Sequence, residues 1–580
     1  MARKRVLLLL VAAFAIAGAS VAVAQASTGG RSRHHDGDRR GGGQGGGPGG
    51  DQGGGAAAAT PIKHIVVIFQ DNVAFDHYFG TYPHAANTDG QPFHASPRTP
   101  TVNGLSGSLL TNNPNLSNPQ RLSYSQAVTC DQDHDYTDEQ SAFDHGLMDM
   151  FVQKTGGGLT LAHCLASVHN PAPAGGTNPN YAVMDYYDGN TVTGLWNYAQ
   201  HFAMSDNSYG TNFGPSTPGA INVTGTNTFG ATCGGDTGAV YPATVPSCGN
   251  ASSATPTPGH PQPAGPGTLY SDSDPAYDVC STGKTIGMGG KNIGDLLDQA
   301  GITWGWFEGG FASPNYVPGQ PSTDDLTKVC TAAHRNILGS SVTDYSAHHE
   351  PFEYYLSTAN PKHLPPTSVA MIGHQDQANH QYDLKDFFAA ADNHNLPAVS
   401  YLKAPRYQDG HAGYSDPIDE QTFLTSTINH LERLPSWKST AVVIAYDDSD
   451  GWYDHQIGPI LSQSQTTLDT LTDPGQCGAN ASKVPTTDSG AAEQARCGVG
   501  PRQPLLVISP FAKRNFVDNT FTDQSSVVQF IEDNWLGGQR IGDGAADAGA
   551  GTLDNMFSFH GEGNSPLFLA PRTGEPARGW

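Results

Sequence analysis

An α/β fold with a mostly parallel central sheet and helices on both faces is predicted by three features of this 580-residue chain. Two β-branched apolar runs, Ile62–Gln70 (IKHIVVIFQ) and Ser439–Tyr446 (STAVVIAY), read as strands buried on both faces, and each stops at an acidic cluster. A third run, Pro504–Ser509 (PLLVIS), ends at Pro510. Between them, Ile293–Ala300 and Gln421–Leu434 repeat apolar residues every three or four positions, the helical period. Strands alternating with helices predict a sheet covered on both sides. Ligands gather beyond the carboxyl ends of strands in such sheets, so Asp71-Asn72 and Asp447-Asp448 are the positions to inspect.

Taken in order, the chain opens with Arg3, Lys4 and Arg5, an apolar run from Val6 to Ala24, and small-residue sites around Ala22 to Ala26. That layout predicts a secretory signal peptide over residues 1–26 and a secreted, extracellular or periplasmic, protein. Residues 27–60 are dominated by Gly, Ala, Arg, His and Asp, with too little apolar surface to offset the entropy of ordering, and read as a linker. Residues 61–580 form the expected catalytic domain, in which no segment is long and apolar enough to serve as a transmembrane anchor. The formal net charge of −25 argues against nucleic acid as a partner. Pro/Gly/Ser/Thr-rich stretches near 232–266 and 473–500 lack periodicity and read as surface insertions. An even count of eight cysteines with no C-x-x-C pair predicts disulfides; eight cysteines allow 105 connectivities, of which pairing sequence neighbours would give 130–164, 233–248, 280–330 and 477–497.

Four groups of residues carry candidate chemistry. Asp71, Asn72, Asp447 and Asp448 offer hard oxygen ligands at strand ends; singly each pair reads as a solvated loop or a cap, but convergence of both would bind a divalent cation. The turn Gly214-Pro215-Ser216-Thr217-Pro218-Gly219 presents a hydroxyl that a cation would activate toward phosphorus. Histidines at His134, His348, His349 and His411, the last three beside further polar residues, suit phosphate oxygens or a leaving group that needs a proton. The chain has no Gly-x-Ser-x-Gly elbow, no P-loop and no His-Glu-x-x-His, which removes support from functions built on those motifs.

Together, IVVIFQDNVAFDHYFGTYP, FGPSTPGAIN, YSAHHEPFEYY, LPAVSYLKAPRYQDGHAGYSDPIDEQTF and AVVIAYDDSDGWYDH resemble the bacterial phosphoesterases that include acid phosphatases and phospholipases C, within the alkaline phosphatase superfamily. The likeness runs from Pro61 to about Trp535 and is nearest to the acid phosphatase branch. It implies an alkaline-phosphatase-like fold with loop-rich insertions. It also implies one divalent metal ion held by Asp71, Asn72, Ser216, Asp447 and Asp448, with phosphate contacts from His134, His348, His349 and His411. Ser216 rather than Thr217 is the implied nucleophile, because the family's stands two positions before the proline of the turn. Asp71 replaces the family's usual Glu and Ala74 its usual Ser, and the shorter carboxylate bears on metal affinity. All-oxygen ligation leans toward Mg, Ca or Mn, while the adjacent histidines keep Zn or Fe open. The expected activity is hydrolysis of phosphate monoesters; a phospholipase C or other phosphodiesterase acting on phospholipid head groups is the alternative within enzymes, and a non-catalytic anion-binding surface protein is the alternative of another class.

Overall fold

β-branched and aromatic side chains set the strands of the central sheet, and their complete burial explains why the sequence shows apolar runs rather than alternation. In the computed structural model this sheet has eight strands: β1 (His64–Gln70), β2 (Ala203–Ser205), β3 (Trp304–Glu308), β4 (Gln381–Asp383), β5 (Val399–Lys403), β6 (Thr440–Tyr446), β7 (Leu505–Ile508) and β8 (Phe516–Asp518). Their spatial order is β4-β3-β5-β1-β6-β7-β2-β8, and only β7 runs against the rest. The structure describes residues 58–156, 179–234, 240–241, 267–283, 285–481, 483–561 and 563–577. The expected signal peptide and most of the linker lie outside them, as do most of residues 232–266. The compact unit that holds the described residues spans Gly54–Trp580.

Helices α1 (Thr193–His201), α2 (Ser216–Asn222), α3 (Ile293–Ala300), α4 (Leu384–Asp392), α5 (Pro417–Arg433) and α6 (Ser525–Trp535) are the principal ones among the described residues. The expected helix over Gln421–Leu434 begins earlier because Asp416 caps it, accepting from the backbone N–H groups of Ile418 and Asp419, and Pro417 fills the first helical position. Isoleucines, valines and aromatic rings from β1, β5, β6 and β7 merge with faces of α1, α3, α4, α5 and α6 into one apolar core. Among the described residues no helix is long and apolar enough to cross a membrane.

Both expected disulfides that fall on described side chains, Cys280–Cys330 and Cys477–Cys497, are present; the pairings 130–164 and 233–248 involve side chains outside them. Cys477 and Cys497 are buried within a second apolar cluster alongside Tyr136, Phe143 and Phe213. The carbonyl of Cys497 accepts from Phe213 N–H at 2.9 Å. The far end of the 473–500 stretch therefore props the loop that leads into α2, a role its composition did not suggest. Residues 229–234, 240–241 and 267–269 join a small five-stranded sheet beside the main one.

Candidate active site

Three neighbouring strands, β5, β1 and β6, deliver polar side chains to one place as they end. Lys403 is the last residue of β5, Asp71 and Asn72 follow β1, and Asp447 and Asp448 follow β6; all five are buried. Ser216, the first residue of α2, faces them. Its Oγ lies 2.9 Å from Asp448 Oδ2, 3.2 Å from Asn72 Oδ1 and 3.4 Å from Asp71 Oδ1. Gly219 lets α2 approach this closely, since a Cβ there would stand 2.0 Å from the carbonyl oxygen of Asp447.

Asn72 adopts a left-handed backbone conformation (φ 56°), which asparagine tolerates better than most residues. Its amide nitrogen donates to Asp450 Oδ1 at 2.9 Å, turning Oδ1 toward Ser216. Asp447 is the most occupied carboxylate: Oδ1 accepts from the backbone N–H of Asn72 and Asp448, and Oδ2 accepts from Lys403 Nζ at 3.1 Å. Lys403 Nζ also lies 3.2 Å from Asp71 Oδ2.

Charge crowding is plain in the carboxylates. Burial and then the Asp71 charge push Asp447 well above its usual range, and burial lifts Asp448 to about 6 although His134 opposes the rise. Burial also works against an ionised Asp71, but the Lys403 ammonium beside it helps to overcome that cost and hold this carboxyl well below its usual range.

Whether this site fits a divalent cation is answered by its donors. The Ser216 hydroxyl has one proton to give, yet three side-chain oxygens surround it, and Asp71 Oδ2 is buried with no well-formed hydrogen bond. Carboxylate and amide oxygens crowded beyond the supply of hydrogen-bond donors are the ligand set of a hard cation. Asp71, Asn72, Ser216 and Asp448 fit that role directly, and Asp447 adjoins them through Asp71, with which its ligand atoms cluster.

The four expected histidines surround this ring. His349 Nε2 is 3.3 Å from Asp71 Oδ2, and burial holds its imidazole well below the usual range. His348, ring to ring 4.4 Å from His349, lies 3.6 Å from Asp274; burial opposes its charge, but the bond to Asp274 and the charges of Asp272, Asp274 and Asp71 raise it. His134 Nδ1 is 3.7 Å from Asp450 Oδ1, and Asp448, Asp450, Asp131 and Asp272 overcome burial to raise it well above the imidazole range. His411 stacks on Tyr414 at 4.2 Å and meets the His134 ring edge-on at 6.4 Å. His380, by contrast, is stacked on Trp304 and paired with Asp298 in a structural setting.

Sequence reasoning missed Lys403, Asp450 and Glu139. A lone lysine closing the apolar strand VSYLK was the available signal for the first, and the run Asp447-Asp448-Ser449-Asp450 for the second. Glu139 had none: it is fully buried in a helix over Tyr136–Phe143, where Oε2 accepts from Gly214 N–H at 2.9 Å and Oε1 from Ser449 Oγ at 2.7 Å. It ties the turn before Ser216 to the loop after β6, and burial lifts its carboxyl to about 8.

The family model described as "Phosphoesterase family" matches residues 62–536. The chain is 30% identical over 189 residues to a non-hemolytic phospholipase C of Pseudomonas aeruginosa, covering 31% of this chain and 26% of that protein. It is 34% identical over 145 residues to a non-hemolytic phospholipase C of Burkholderia pseudomallei, covering 24% and 19%. With phospholipase C A of Mycobacterium tuberculosis the identity is 27% over 146 residues, covering 25% and 26%. The alignments thus span about a quarter or less of the length of these curated relatives.

Proposed function

The chain belongs to the phosphoesterase family, and from that premise we propose that it hydrolyses phosphoric ester bonds, monoesters foremost, with Ser216 as nucleophile. The single observation that carries the reading is the Ser216 hydroxyl held within 2.9–3.4 Å of oxygens from Asp71, Asn72 and Asp448, residues drawn from two distant strand ends. Ser216 Oγ attacks phosphorus, the ester oxygen leaves, and water then hydrolyses the phosphoserine. Asp448 already accepts the Ser216 proton in a hydrogen bond, so an acceptor stands in place as the nucleophile forms. A divalent cation bound by Asp71, Asn72, Ser216, Asp447 and Asp448 supplies Lewis-acid activation and neutralises charge on the phosphoryl oxygens.

His134 and His348, whose acidic neighbours keep them protonated, bind the phosphoryl oxygens. The same acidic neighbours suit either of them to donate the proton to the leaving alkoxide. His349 and His411 remain phosphate contacts in this scheme, beside Asp71 and the Asp131–Asp450 pair.

A second reading, phospholipase C activity on phospholipid head groups, is favoured by the similarity to phospholipases C. The partition into signal peptide, linker and catalytic domain, and with it export, belongs to the same proposal; the basic-then-apolar start and the two disulfides support it. The deciding assay is hydrolysis of nitrophenyl phosphate, bis-nitrophenyl phosphate and nitrophenyl phosphorylcholine, with and without chelator. The parent protein is expected to favour the monoester and to lose activity on chelation. Equal rates from Ser216→Ala would eliminate the nucleophile, and preference for the phosphorylcholine ester would establish the second reading.

A further inference from the structure

At the end of the sheet opposite the Ser216 site lies a cavity of about 600 Å³ whose lining includes Arg98, Arg514, His201, Asn515, Pro97 and Leu567. The strand register locates it. His201 ends α1 just before β2, and Arg514 and Asn515 lead directly into β8; β2 and β8 start side by side, with Ala203 opposite Phe516. Ala203 also pairs with Val507, which pairs with Val443 at the middle of β6. His201 and Arg514 each lie two residues before that level and Asp447 lies four residues beyond it, so on the order of 20 Å along the strands separates the two sites.

The guanidinium groups are the first reason to assign a ligand. The chain carries 54 acidic against 29 basic residues, and Arg121, Arg496, Arg502 and Arg540 all pair with carboxylates. Among the described residues no carboxylate lies within ion-pair distance of Arg98 or Arg514, though both line the same concavity. In so acidic a protein, two arginines facing one cavity without a carboxylate form a local anion site. The second reason is that Asn515, directly after Arg514, also lines the concavity and adds a side-chain amide able to hydrogen-bond. His201 Nε2 is 2.9 Å from the carbonyl of Ser565, which fixes that nitrogen as the donor in the neutral ring. Burial, with Arg514 adding to it, keeps this imidazole below its usual range.

We propose that this cavity is a second, non-catalytic site for a small organic phosphate: Arg98 and Arg514 hold the phosphoryl oxygens, the Asn515 amide adds a hydrogen bond, and Pro97 and Leu567 contact the organic group. The volume greatly exceeds that of a bare phosphate ion and matches a compact organic ligand. The assignment is independent of the role given to Ser216.

Phenylphosphonate tests it, because its C–P bond is not an ester and turnover does not enter the measurement. Titration calorimetry of the full chain at pH 6 is expected to show one equivalent fewer of bound phenylphosphonate in R98Q/R514Q than in the parent, or that component weakened at least about tenfold. Ser96→Glu, which adds a carboxylate at an exposed position of the lining, is expected to do the same, and matched thermal midpoints show that all three proteins are folded. Unchanged stoichiometry and affinity in both variants would overturn the site. Inorganic phosphate that binds there as tightly as phenylphosphonate would overturn its assignment to an organic ligand.

Discussion

Two buried carboxylate clusters occur side by side in the chain, and they are treated in opposite ways. Asp71 and Asp448 face Ser216, whereas Asp76 and Asp454, each a few residues further on, enclose Arg502. In the second cluster the charges are answered from within. Asp76 Oδ1 is 3.0 Å from Arg502 Nη2, Asp76 Oδ2 accepts from His455 Nδ1 at 2.6 Å, and both oxygens of Asp454 accept from Arg502 Nε. Burial opposes the Asp76 charge, but His455 and Arg502 overcome it and hold that carboxyl below its usual range. In the first cluster one ammonium, Lys403, serves several oxygens, and Asp447 and Asp448 are pushed upward. A closed ion network fastens the chain; an open ring of acceptors is fit to hold something that the polypeptide does not supply.

The comparison is broken most forcefully by substitution in the open ring. Asp448→Asn is expected to lower turnover of nitrophenyl phosphate by on the order of 10³-fold while leaving the thermal midpoint unchanged or raised, because it removes a crowded charge. A large loss of stability in this variant would mean that the ring is structural after all. The reciprocal change, Arg502→Met, leaves Asp76 and Asp454 buried without their cation and is expected to cost about 3–5 kcal/mol in urea unfolding.

Acidity separates the clusters next. Asp76 has a depressed folded pKa, so its contribution to stability is present above its ordinary value of 3.8 and is lost as pH falls through the folded value. Asp447 and Asp448 have the opposite sign: in chelated protein their raised values make the folded state more stable as pH falls toward about 6. Chelation is therefore expected to lower the thermal midpoint by several degrees at pH 8 and by less at pH 5.5, measured by scanning fluorimetry. His134 has a raised folded value, so its positive charge persists above the ordinary 6.5 and is lost only as pH rises through the raised folded value; if it binds phosphate as proposed, KM is expected to climb on that alkaline side.

The smallest expected effect sharpens the picture instead of breaking it. Glu139→Gln keeps a side chain of the same size but loses one of two acceptors, and is expected to reduce kcat about tenfold with little change in KM. An unchanged kcat would show that the turn before Ser216 holds its position without this tie.

How much of this was legible in the sequence follows from what each residue does. The strands β1 and β6 and their trailing acids could be read because full burial leaves uninterrupted apolar runs, and charged residues directly after them are conspicuous. Ser216 and the histidine pair were legible only as members of a recurring pattern, since a Pro/Gly turn and adjacent histidines have many ordinary uses. Glu139 and Arg502 were not legible: each gains its meaning from partners hundreds of residues away or in a loop without periodicity, such as Ser449 and Asp76. The 473–500 stretch was read as surface because its composition is that of a loop, yet its buried disulfide supports the turn before Ser216.

The contact of Gly219 with the Asp447 carbonyl has an evolutionary corollary. With no side chain between them, the helix that carries the hydroxyl and the strand that carries the acids are seated main chain on main chain. Neither can drift against the other by trading one residue for a larger or smaller one. Descendants of this protein that come to cleave different esters would be expected to vary the surrounding loops while this joint stays as it is.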